Sequence, residues 1–184
     1  MKIWSYRYAE DIQKSYANRH PIITYESDLY FECSLAYNWM MEQMEKKFKR
    51  PSFVNFPFWA WYAYEGKNKK PDMRKLKRRN SNKIMTLIEC DINEERLVLS
   101  DEGRWNSVLF NRFISDSEDE YVWFKNKEKS LSNEVIQELK IQSWGRIFDL
   151  TGGDPNWCGE PKERYIQATT WFIEYNEIVS ARLF

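Results

Sequence analysis

The sequence predicts an α+β domain on three observations. Stretches rich in aromatic and β-branched residues alternate with period two near residues 2–8, 58–64, 84–92 and 165–184. Residues 28–48 carry apolar side chains at helical spacing. Strands and helices follow one another irregularly and without a fixed-period repeat, which excludes a regular βα succession and a solenoid. The expectation is one domain over residues 1–184, with a mixed or mostly antiparallel sheet flanked by helices.

Lys2 to Tyr8 sets Ile3, Ser5 and Arg7 against Trp4, Tyr6 and Tyr8, a first strand with one aromatic face. A short helix through Ile12 and Tyr16 closes in a turn over Asn18 to Pro21. From Asp28 to Phe48, Leu29, Cys33, Ala36, Tyr37, Met40, Met44 and Phe48 recur at three and four, and Pro51 ends that helix. Phe58, Trp59, Trp61, Tyr62 and Tyr64 read as a strand ending in a Glu65-Gly66 turn. Strict alternation puts Phe58, Ala60, Tyr62 and Tyr64 on one face and Trp59, Trp61 and Ala63 on the other. Either both faces are core, or one stacks on a planar ligand.

Ile84 to Ile92 reads as a central strand and Arg96 to Leu99 as its shorter partner or continuation. Ser100-Asp101 caps a helix carrying Trp105, Val108, Leu109 and Phe113, and Ser115 to Glu120 reads as an acidic turn able to meet a basic loop. Another helix begins near Ser132. After a Gly-rich loop over 151–161, Tyr165 to Tyr175 and Ile178 to Phe184 read as two final strands joined at Asn176-Glu177.

The formal net charge is zero, from 28 basic and 28 acidic residues, yet the charges are not evenly spread. Lys67, Lys69, Lys70, Arg74, Lys75, Lys77, Arg78 and Arg79 are opposed only by Asp72. A basic run beside aromatic rings suits a phosphate-bearing ligand, and through Lys75, Lys77, Arg78 and Arg79 it suits nucleic acid. A solvated surface loop has the same composition. Three scattered cysteines and one histidine support neither a disulfide framework nor a zinc site, so no metal is expected. There is neither an apolar leader nor a run of ~18 apolar residues, so the expected setting is a reducing cytoplasm without a membrane partner. The GxSxG, Walker, HExxH and GxGxxG patterns are all missing, which removes support from the familiar hydrolases, nucleoside triphosphatases and dinucleotide oxidoreductases.

The segments KIWSYR, AYNWMMEQM, FPFWAWYAYEGKNKKPDMR, LVLSDEGRWNSVLFNRFI, IFDL and YIQATTWFIEYNEIVSARLF resemble, in that order, a bacterial domain-of-unknown-function family, number three-eight-four-one. The resemblance covers nearly the whole chain and implies no activity. The order of first strand, helix, aromatic segment ending near a proline, strand, Ser-Asp helix and late Gln-Ala before paired terminal strands is remotely similar to the ADP-ribosyltransferase superfamily, nearest its nucleic-acid-modifying toxin branch. That similarity implies a split sheet gripping NAD, an aromatic ring stacked on nicotinamide, and a late-strand glutamate holding the ribose.

The chain departs from this pattern at its centre. Gln167 stands where the glutamate is expected, and Trp4 and Tyr6 stand where the first strand would offer His or Arg, leaving Arg7 as a substitute. Glutamine can hydrogen-bond a ribose hydroxyl but brings no charge to an oxocarbenium-like transition state. Glu163 and Glu174 are alternative carboxylates. The expected site is therefore Trp4, Tyr6, Trp59, Trp61 and Arg74 around an NAD-like nucleotide, with Gln167 at the catalytic position. Turnover of the ligand is left open, and a bacterial or phage toxin or defence role suits the resemblance. The alternative is a non-enzymatic module that engages nucleic acid or a protein partner.

Overall fold

The structure, a computed structural model, describes residues 1–24, 28–72 and 84–183. Its strands are β1 (Lys2–Tyr8), β2 (Phe58–Ala63), β3 (Met85–Asp91), β4 (Val98–Asp101), β5 (Ile166–Thr170) and β6 (Ile178–Leu183). They lie in the order β4-β5-β2-β1-β3-β6, and every pairing is antiparallel. Among the described residues the helices are α1 (Ala9–Asn18), α2 (Asp28–Glu32), α3 (Ser34–Glu45), α4 (Glu102–Leu109), α5 (Glu118–Lys127), α6 (Asn133–Trp144) and α7 (Pro155–Cys158). The α+β, antiparallel expectation holds.

The sheet has two halves. β1 pairs with β3 along its full length, from Lys2–Asp91 to Tyr8–Met85. With β2 it shares the single register pair Trp4–Trp61. Beyond that pair side chains take over: the Trp59 carbonyl accepts hydrogen bonds from Ser5 Oγ at 2.9 Å and Arg7 Nη2 at 3.3 Å.

Each face carries its own core. Ile3, Phe58, Ala60, Ile88, Cys90 and Ala168 bury one face against Ile12 of α1, Ile22 and Ile173. On the other, Val98 and Trp59 meet Trp39, Met40 and Met44 of α3, Trp105 and Val108 of α4, and Trp144 of α6.

The structure departs from the sequence reading in four places. The 28–48 helix breaks at Cys33, whose φ of −121° and ψ of 32° are not helical. The break lets Tyr30 of α2 pack on Phe56, at 4.6 Å between centroids, while α3 turns Ala36, Met40 and Met44 inward. In β2 a bulge at Tyr62 reverses the facing, because Trp61 pairs with Gln167 but Ala63 with Ile166. Ala63 therefore joins the Phe58 face, and Tyr64 meets Trp61 at 6.0 Å.

The last two strands are not partners. β5 lies between β4 and β2 while β6 borders β3, and β4 pairs with β5 and not with β3. The acidic stretch is the start of α5, where Ser117 Oγ accepts from the Glu120 amide and Glu118, Asp119 and Glu120 occupy the positive end of the helix dipole. Only Phe124 of α5 is buried, so its sequence carries no apolar stripe.

The Glu65-Gly66 turn closes a tight hairpin in which Tyr64 and Lys67 exchange backbone hydrogen bonds. Both turn residues have positive φ, 52° and 67°. Gly66 also donates to the Arg164 carbonyl, and a Cβ there would stand 1.4 Å from the Lys162 oxygen. Among the described residues no helix is long and apolar enough to cross a membrane, and all three cysteines are free. Gly66→Ala should therefore destabilise the protein by at least ~2 kcal/mol, through positive φ and backbone collision together. Urea denaturation checks this, and an unchanged midpoint contradicts the close approach.

Candidate functional site

In an antiparallel ladder, residues directly opposite share a face. Glu89, Trp4, Trp61, Gln167 and Ser100 follow one another across β3, β1, β2, β5 and β4. The next row on the same face holds Trp59, Thr169 and Val98. Four of the residues expected at the site, Trp4, Trp59, Trp61 and Gln167, thus lie on one face of three adjacent strands. Tyr6, two residues beyond Trp4 on an unbulged strand, shares it and is half-buried.

Their environments differ. Trp4 is buried, and its indole N–H donates to Glu89 Oε2 at 3.2 Å, so it belongs to the packed half. Trp59 lies 4.8 Å from Trp105 and edge-on to Tyr37 at 6.1 Å. Trp61 is half-buried in a triangle with Tyr64 and Tyr165, in which the two tyrosines are 4.8 Å apart. These three rings flank Gln167 directly.

Four buried polar atoms on this face have no hydrogen-bond partner among the described residues: Gln167 Oε1, Ser100 Oγ, Thr169 Oγ1 and Trp59 Nε1. Ser100 is opposite Gln167, Thr169 is two residues along the same strand, and Trp59 is opposite Thr169. They occupy one quadrilateral with cross-strand Cα spacings of ~5 Å. Each unpartnered buried group costs ~1–3 kcal/mol; Ser100 and Thr169 are fully buried on the face that the helices cover, while Gln167 is half-buried at its edge.

The quadrilateral carries no charge. The neighbouring Tyr37 phenol is pushed up to about 12 by burial and, secondarily, by Cys33. Glu102 stands at the rim, its amide donating to the Tyr165 carbonyl and its Oε1 accepting from Asn106 Nδ2 at 3.1 Å. Glu89 is three strands from Gln167, and the Lys2 ammonium at 3.0 Å holds its carboxyl below the usual range. Glu163 is exposed, and Glu174 forms a reciprocal cap with Glu177. Neither alternative carboxylate is aimed at the face.

Arg7 projects to the opposite face. Its guanidinium lies 4.0 Å over the Phe58 ring, bonds the Tyr6 and Trp59 carbonyls, and is lowered to about 10 by desolvation. It does not substitute for a first-strand group beside Gln167. Arg74, Lys75, Lys77, Arg78 and Arg79 lie outside the described residues.

The entry to β5 is held by buried arginines. Arg104 Nη1 donates to the Arg146 carbonyl at 2.7 Å, and its Nη2 to Asp116 Oδ1 at 2.8 Å and the Gly152 carbonyl at 2.9 Å. Arg164 Nη2 donates to Gly152 and Gly159 carbonyls at 2.8 and 3.2 Å. Arg146 grips Glu120 through two bonds of 2.6 Å, which hold the Glu120 carboxyl below its ordinary value. Asp116 and Glu120 thus serve this network, where the sequence reading offered them to the basic loop.

Sequence reasoning missed Ser100, Thr169 and Tyr165 as site residues. Period two counted from Gln167 would have found Tyr165 and Thr169, whereas Ser100 needed the β4–β5 pairing. A face of this kind on a two-part antiparallel sheet defines an α+β domain with a candidate ligand surface at its centre. Within that class the chain belongs to the family described as Domain of unknown function (DUF3841), which matches residues 5–179. No curated protein and no solved structure matches the chain.

Two outcomes test the site's energetics. Thr169→Val, which removes an unpartnered hydroxyl at nearly constant shape, should raise stability by ~1 kcal/mol, read as a higher denaturant midpoint. Because the folded pKa of Glu120 is depressed, its contribution is present above the unfolded value and lost as pH falls through the folded one. Stability should therefore drop on acidification below the ordinary carboxylate range, and Glu120→Gln should flatten that part of the curve.

Proposed function

We propose that the protein binds an NAD-like nucleotide at the half-buried end of the β5-β2 face, beside Trp61, Tyr64, Tyr165 and Gln167, and does not turn it over appreciably. The observation that carries this reading is the unpartnered Gln167 Oε1 on a half-buried residue beside the half-buried rings of Trp61, Tyr64 and Tyr165. The remote sequence similarity to ADP-ribosyltransferases would match Gln167 to the glutamate position, and Gln167 lies on a strand next to the aromatic one. In such an enzyme the carboxylate both holds a ribose hydroxyl and stabilises positive charge, and an amide retains only the first capacity. The next carboxylate on that row, Glu89, is three strand spacings away, ~14 Å.

The reading also includes a reducing cytoplasm, which suits three free thiols, and a bacterial or phage toxin or defence setting. Calorimetric titration with NAD, paired with chromatographic assay of nicotinamide release, tests it. Native protein should bind NAD and release no nicotinamide above background. Gln167→Ala should weaken binding by ~10-fold, the loss of ~1.4 kcal/mol from one hydrogen bond. Gln167→Glu should keep binding and gain slow release. Failure of NAD to bind, with binding of single-stranded nucleic acid in its place, would overturn this reading in favour of a nucleic-acid module.

A further inference from the structure

We infer that the cleft between the end of α3 and the edge strand β4 binds a small carboxylic acid with an apolar body, and that Lys47 is its counter-ion. The inference is separate from the nucleotide reading, since none of the residues lining this cleft belongs to the group around Trp61 and Gln167. The first ground is space. A cavity of about 450 Å³ lies between Gln43, Lys47, Val98, Leu99 and Phe148. That volume is in the range that accommodates a small organic ligand. Its walls are mostly apolar, with Val98 buried and Leu99 and Phe148 half-buried. Phe148 is held by stacking on Trp39, at 5.8 Å between centroids and 13° between planes.

The second ground is hydrogen-bond type. Lys47 Nζ donates to the Leu97 carbonyl at 2.8 Å, and an ammonium has further N–H donors to give. Gln43 Nε2 donates to the Trp39 carbonyl at 3.3 Å, and its Oε1 already accepts from Lys46 Nζ at 2.9 Å, so what its amide has left is chiefly an N–H. The polar side chains of the cleft therefore complement an acceptor. The third ground is charge. Lys46, Lys47, Lys49 and Arg50 stand together, and Glu45 beside them is bonded to Arg50 at 2.9 Å. Among the described residues no carboxylate is bonded to Lys47. Lysines that follow a helix commonly serve the negative end of its dipole. Lys47 instead carries its ammonium across to the entry of β4, at Leu97. A cation placed at an apolar cleft without an acid of its own selects an anion. The apolar walls select one whose charge sits at the end of an aryl or alkyl body, because a small, fully hydrated ion gains nothing from them.

Phenylacetate, phenylacetamide and acetate, titrated against the full chain by calorimetry and ligand-observed NMR, provide the test. Phenylacetate should bind with a Kd on the order of 1 mM or tighter. Phenylacetamide, which keeps the body without the charge, and acetate, which keeps the charge without the body, should each bind at least ~10-fold more weakly. Lys47→Met keeps the aliphatic stem and should weaken phenylacetate by ~10-fold at an unchanged melting temperature, while Lys47→Arg should retain most of the affinity. Lys49→Met removes a charge from the same run but not from the cleft, and should leave the affinity as it is. Amide and acid binding alike would overturn the counter-ion role, and acetate binding as well as phenylacetate would overturn the apolar subsite. Equal losses in Lys47→Met and Lys49→Met would replace the site with a diffuse basic surface. No binding of phenylacetate at about 10 mM would overturn the inference outright.

Discussion

The rest of the structure depends on how little β1 and β2 share. Antiparallel neighbours ordinarily exchange hydrogen bonds along their length, but β1 commits to β3 and β2 to β5, leaving Trp4–Trp61 as the one register pair between the halves. A backbone carbonyl exposed by that divergence needs a donor. Ser5 and Arg7 supply it at Trp59, and the Arg7 guanidinium is held by two carbonyls and the Phe58 ring, with no carboxylate bonded to it among the described residues. Burial lowers its pKa to about 10, so it remains a cation at neutral pH. Freed from a ladder with β1, β2 can bulge at Tyr62, and the bulge is what sends Tyr64 to the side of Trp61 and Tyr165. The aromatic triangle beside Gln167 is thus a consequence of the divided sheet.

The second constraint is the pair of arginines behind β5. A Gly-rich loop with two glycines at positive φ gains little from its own backbone, since Gly153 at 90° and Gly159 at 75° have more conformational freedom to lose than other residues. Arg104 and Arg164 offset this by gathering carbonyls of Arg146, Asp149, Leu150, Gly152 and Gly159. Asp116, Asp101 and Glu120 balance the charge, with Arg164 Nε 3.7 Å from Asp101 Oδ2. Removing one partner from such a network leaves the other buried and unpaired, which is more damaging than never having had the pair. Because Arg164 is adjacent to Tyr165, the network also fixes where the aromatic triangle and Gln167 stand.

Fold class and most elements were legible because they rest on local periodicity and caps. β1 matched its alternation, Asp101 and Ser132 capped α4 and α6, and Glu65-Gly66 formed its turn. What failed was non-local. Nothing in the composition of residues 178–183 says that β6 pairs with β3, and nothing in 98–101 says that β4 crosses to the far edge beside β5. The bulge at Tyr62 was hidden for the same reason, since it exists only relative to β5. On the candidate face, the shared facing of Trp59 and Trp61 was legible from period two, while Ser100, known only as the residue before a cap, acquired its place from sheet order.

The unpartnered atoms bear on what the sequence was kept for. A domain of this size has a net stability of ~5–15 kcal/mol. Four buried groups at ~1–3 kcal/mol each take up a substantial part of that margin. Ser100 and Thr169 could be Ala and Val with little change of shape, and the strand propensities would be served as well or better. Folding stability alone therefore does not account for these two hydroxyls. These atoms follow one another across β4, β5 and β2, whereas those of Thr24, Arg7 and Arg164 lie off that row.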